Sequence, residues 1–162
     1  MKHVIVTIGI LLASCMTAIS QVQTVKSHEL SIKGVASPGS ARGTLMLVGR
    51  SEGPLRGSFE MSIWYNPVTN EVIGGTWKLT IARPGREGAA KVDGALAGSI
   101  TGGSITLDKH GKVNSIEGVQ ISIRRSVGQY SRVTKGSGKF SGTLDLRRRH
   151  PFEGELQISF AG

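Results

Sequence analysis

An all-β, antiparallel barrel is what this 162-residue chain predicts, and three observations point there. Apolar and polar residues alternate with period two, the pattern of strands with one buried and one wet face. Clusters of Gly, Pro, Asn and Asp interrupt the alternation at short intervals and leave no room for helices between strands. Many of the 23 glycines share the parity of the apolar residues. Inward glycines let coiled strands bend and approach one another, which a small closed barrel needs and a flat sandwich needs less. The expected count is about eight to ten short strands joined as hairpins, with a β-sandwich as second choice.

The first twenty residues stand apart. Lys2 and His3 precede the apolar run VIVTIGILLA, which suits an export signal and is too short to span a bilayer as a helix. Two cleavage patterns follow. LASC, ending at Cys15, resembles a bacterial lipobox, which would lipidate Cys15 and anchor the chain; AIS before Gln21 fits ordinary signal cleavage. Lipidation at Cys15 is the favoured expectation, and residues 21–162 are then one barrel domain. Cys15 is the only cysteine, so no disulfide braces that domain.

The strands follow in order. Leu30, Ile32 and Gly34 share one parity, and the break ASPGSA (36–41) ends that segment. Leu45, Leu47 and Gly49 come next, broken by SEGP (51–54). In LRGSFEMSIWY, Leu55, Gly57, Phe59, Met61, Ile63 and Tyr65 form the apolar face, while Trp64 stands on the polar one. NPVTN (66–70) breaks it, and Gly75, Trp77, Leu79 and Ile81 continue the rhythm. RPGREG (83–88) precedes Gly94, Leu96, Gly98 and Ile100. TGG (101–103) and DKHGK (108–112) read as further breaks. VQISIRR ends on Arg124 and Arg125. The last two segments carry Gly138, Phe140, Gly142, Leu144 and Leu146, then, after RRHP (148–151), Phe152, Gly154, Leu156, Ile158 and Phe160.

The segment GSGKFSGTLD (136–145) resembles the Gly-x-Gly-x-Phe-x-Gly stretch of the allene oxide cyclase and dirigent barrels, through Gly136, Gly138, Phe140 and Gly142. The resemblance covers about ten residues, places YSRVT (130–134) where the family has its preceding strand, and departs from the pattern at Asp145. It implies an eight-stranded antiparallel barrel with an apolar cavity and, as an alternative function, a cofactor-free cyclase or isomerase. No catalytic residue carries over.

Motifs of other chemistries do not hold in context. A phosphate loop needs Gly-Lys-Ser/Thr opening a helix, whereas Lys139 precedes Phe140 in a strand. GRSEG (49–53) matches the nucleophile elbow of hydrolases, but Pro54 and another strand follow where a helix should begin, so a hairpin turn is the reading. His28, His110 and His150 lie far apart and no metal is expected; Asp108 with His110 reads as an Asx turn. No cofactor is expected.

What remains is charge. Twenty Lys and Arg oppose 11 Asp and Glu, giving a formal net charge of +9. A basic exported protein meets anionic lipids, glycans and cell-wall polymers; export argues against nucleic acid. Arg124, Arg125, Arg147, Arg148 and Arg149 are the candidate anion-binding residues, since guanidinium forks match phosphate and carboxylate. Arg83 and Arg86 flank another turn. Trp64 and Tyr130 are candidate ligand contacts. The expected function is a non-enzymatic, exported, lipid-anchored barrel of the bacterial envelope that binds a small apolar ligand or an anionic envelope component. A structural envelope module is the third reading.

Overall fold

The computed structural model describes residues 24–84, 90–144 and 151–161. Cys15, Gln21, Arg86, Asp145, Arg147, Arg148, Arg149 and His150 lie outside the described residues. Among those described there is no helix, and eight strands form a closed antiparallel barrel. They are β1 (Val25–Pro38), β2 (Thr44–Glu52), β3 (Gly57–Tyr65), β4 (Val72–Pro84), β5 (Ala90–Leu107), β6 (Val113–Gly128), β7 (Gly136–Leu144) and β8 (Pro151–Ala161). Each strand pairs with the next in the chain, and β1 closes the ring against β8.

One register line shows how the ring is skewed. From Ser37 on β1 it passes through Met46, Ser62, Thr76, Ser99, Ser122, Ser137 and Ser159, then returns to β1 at Ser27, ten residues before its start. A stagger of ten over eight strands tilts them about 40° to the barrel axis. The same line is a girdle of small polar side chains on the outer surface, broken only by Met46. A barrel crossing a bilayer would carry an apolar band there, whereas this line carries hydroxyls at every position but Met46.

The interior is apolar and dry. Ile32, Leu47, Phe59, Ile63, Leu79, Leu96, Val119, Phe140 and Leu156 have no surface that water can reach. Phe140 lies 5.6 Å from Phe59 and 6.3 Å, edge-on, from Phe152, ring centroid to centroid. Trp77 fills the space opposite Gly98, and its indole N–H donates to the Ser122 carbonyl at 3.1 Å. A Cβ on Gly98 would run into that same carbonyl, so only glycine lets β5, β6 and the indole meet. Leu55 and Val133, in the connections at the β2–β3 end, are buried with the core; Tyr130 is half-buried there, edge-on to Phe160 at 6.2 Å.

Three expectations are corrected. TGG does not break the chain: β5 runs through it, with register shifts around Gly102 and Gly103 at φ 130°, so the glycines bulge the strand where a turn was expected. That merger brings the count to the lower end of the expected range. YSRVT is not a strand but part of the β6–β7 connection, because Tyr130 and Val133 turn inward onto the core and the Val133 N–H bonds the Tyr130 carbonyl at 2.8 Å. Arg124 and Arg125 do not end a strand, since β6 continues to Gly128.

Gly98→Ala should cost about 3 kcal/mol of stability, measured by urea unfolding, because backbone must move to admit the methyl. His28 supplies a pH test. Burial first, then the positive charge of Lys26, lowers its imidazole pKa, and the ring packs on Phe160 at 5.3 Å. Below about 6.5 the unfolded chain binds the proton that the folded one resists, so this contribution is lost as pH falls toward the lowered folded value. Melting curves of His28→Phe should therefore show a weaker fall in stability below pH about 6.5.

Candidate anion-binding wall

Of the candidate anion ligands, Arg124 and Arg125 are the described ones, and a bulge displays both. Ala97 pairs with Arg125 and Gly98 with Ile123, which leaves Arg124 as the extra residue on β6. Two consecutive side chains thus reach solvent where strict alternation would bury one. The Arg124 Nε–H donates to Ser99 Oγ at 2.9 Å, and Ser99 and Ser122 share a hydroxyl bond of 2.8 Å. The guanidinium is thereby held along the wall.

These arginines edge a shallow groove of about 570 Å³ on the outer face of β2–β6. The short side chains Ser62, Thr76, Ala97 and Ser99 line it, together with Met46, Val48, Glu60 and Lys78. Further along the same wall a second groove of about 650 Å³ includes Arg50, Arg56 and Arg83. Arg83 is neutralised by Asp93 at 2.6 Å, and Glu60 faces Lys78 across β3–β4. Glu52 lines the second groove as well; among the described residues Arg50, Arg56, Arg124 and Arg125 form no ion pair with a carboxylate, and they leave the wall with a cationic excess. The other side of the barrel differs: Glu117, Glu153 and Glu155 surround a groove with Ser31 and Ser141. Cations outnumber carboxylates on the first wall, which also holds Glu52 and Glu60, and carboxylates gather in the groove of the second.

The ligand-contact candidates are not brought together. Trp64 lies outside, near the β1–β2 end, with its ring over Gly74; the gap to a Cβ there would be 3.3 Å. Tyr130 packs inward at the opposite end. A small apolar ligand would find a depression of about 380 Å³ at the β1–β2 mouth, lined by Ala36, Leu45, Tyr65, Val113 and Leu144 together with Lys112.

Ser51 of the elbow-like motif is structural. It is 1 % exposed, and its hydroxyl donates to the Leu55 carbonyl at 2.7 Å, tying the β2–β3 turn. Asp108 forms the expected Asx turn: its Oδ1 accepts from the N–H groups of His110 at 2.8 Å and Lys112 at 2.9 Å. The Lys112 bond leads in holding this carboxyl below its ordinary pKa. Among the described residues, no three His, Cys, Asp or Glu side chains gather around one point that could hold a metal.

Sequence reasoning missed Arg50, Arg56 and Lys78 as members of the wall. Their outward parity was readable, but only the register shows that they share a side with Arg124. In comparisons with known proteins, the chain matches no family model, no curated protein and no solved structure.

Ser51→Ala leaves the buried Leu55 carbonyl without its partner and should cost about 1–2 kcal/mol in urea unfolding. Polyanion binding, measured on the same protein, should not change.

Proposed function

We propose that the protein is an exported, lipid-anchored binding protein of the cell envelope that holds an anionic component on its β2–β6 wall and performs no catalysis. The observation carrying this reading is the one-sided array of Arg50, Arg56, Lys78, Arg124 and Arg125 among short side chains. Long cations among small residues let an extended polyanion lie close to the sheet, and guanidinium forks suit its phosphates, sulfates or carboxylates. The filled interior supports a surface function over one inside the barrel. Export and anchoring rest on residues 1–20 and Cys15; by charge alone, Arg147, Arg148 and Arg149 are further contributors.

Titration with dextran sulfate at several salt concentrations tests the wall. The double variant Arg124→Glu, Arg125→Glu should bind about tenfold or more weakly, with a salt dependence shallower by about two counterions. Glu153→Gln with Glu155→Gln on the opposite wall should bind no worse than the parent. Equal affinity and salt slope for the arginine variant and the parent would remove this reading.

A further inference from the structure

The outer surface carries a second feature that a water-facing barrel has no need of. Val35 and Val48 face each other across β1 and β2, and Met46 lies two residues along the same face of β2. Met46 pairs with Ser62, two residues before Trp64, so Met46 and Trp64 are diagonal neighbours. The line continues past Gly74 to Ile73, beside the bulge, and to Val68 in the adjoining turn. These six side chains are 46–84 % exposed. They form one oblique apolar strip across β1–β4, in contrast to the scattered single apolar residues of an ordinary surface.

Cations border the strip. Lys33 and Arg50 face each other one row beyond Val35 and Val48, and Lys78 lies beyond Glu60 in the valine row. On its other side Lys33 meets Glu153, whereas Arg50 meets Ser58, so Arg50 is the cation at this edge with no carboxylate opposite it. An exposed tryptophan among aliphatic side chains, edged by Lys and Arg, matches the boundary between anionic headgroups and acyl chains. A soluble polymer would satisfy the cations and leave the strip in water.

We infer that the anionic partner is a lipid surface: the barrel lies on its side, with Trp64, Met46, Val48 and Val35 in the headgroup boundary and Lys33, Arg50 and Lys78 on lipid phosphates. This rests on the anion-binding reading and narrows it to one partner.

Tryptophan emission gives the test, because Trp77 is sealed in the core and only Trp64 can answer to lipid. The barrel domain beginning at Gln21, which carries no lipid on Cys15, is mixed with vesicles of phosphatidylglycerol and phosphatidylcholine (1:1) carrying brominated acyl chains, and with vesicles of phosphatidylcholine alone, likewise brominated. On the anionic vesicles the emission should shift to the blue and be quenched; on the neutral ones it should do neither. Trp64→Phe should lose the response. Met46→Ser with Val48→Ser, both exposed positions, should weaken vesicle binding about tenfold and dextran sulfate binding far less, because the variant keeps every cation of the wall.

No quenching on anionic vesicles, or equal quenching on neutral ones, would overturn the inference. So would a Trp64 emission already blue-shifted in a lipid-free dimer, which would make a second copy the occupant of the strip. If vesicles fail while dextran sulfate binds, the lipid assignment alone falls. If both fail, the anion-binding reading falls with it.

Discussion

The packing of aromatic and aliphatic side chains along the barrel axis is the contact on which everything else depends. Phe59, Phe140 and Phe152 meet in sequence across the interior, and Trp77 fills the space allowed by Gly98. With only Cys15 in the whole sequence, no disulfide assists, so the ring is held by ladder hydrogen bonds and by this fill. Filling has a functional consequence. A barrel whose central side chains are out of water's reach has little to offer a ligand inside, and its chemistry moves to the wall and the mouth. The glycines and the large side chains are therefore one design, because each close approach of strands makes the volume that an indole or phenyl ring then occupies.

The outer wall follows a different logic. Alternation decides only that a residue faces out; which side of the cylinder it faces is decided by register. Five register steps carry the lines from Lys33 to Val127 and from Val35 to Arg125, and they gather cations on β2–β6 while Glu153 and Glu155 stay on β8. The bulge at Ala97 and Gly98 adds a local device by turning Arg124 outward next to Arg125. A net charge spread evenly would give only weak, diffuse attraction. A cationic excess on one wall presents an orientation to a partner.

This division explains how much was legible in the sequence. Inward parity was readable strand by strand, and Phe59, Phe140, Phe152 and Phe160 are buried where the alternation put them. The turn at Asp108 was legible for the same local reason, since an Asx side chain bonds backbone groups only two and four residues away. TGG was not, because two glycines can reverse a chain or bulge it, and only the neighbouring strand decides. YSRVT has strand-like composition, yet Tyr130 and Val133 gain more by closing the barrel end than by joining a ladder. The wall and the strip were hidden more deeply. Val35, Met46 and Val48 show the wrong parity for the core, which is a visible signal, but their adjacency to Trp64 exists only once three strands are aligned.

The order of strands also governs how the chain reaches this state. Seven of the eight pairings join neighbours in sequence and can form as successive hairpins. The eighth brings Val25 to Ala161, the two ends of the described chain. Until β8 is present, β1 keeps an open edge and the interior cannot be sealed, so closure must wait for that strand. Closure is thus an all-or-none event: seven hairpin contacts can form and dissolve freely, and the eighth commits the ring.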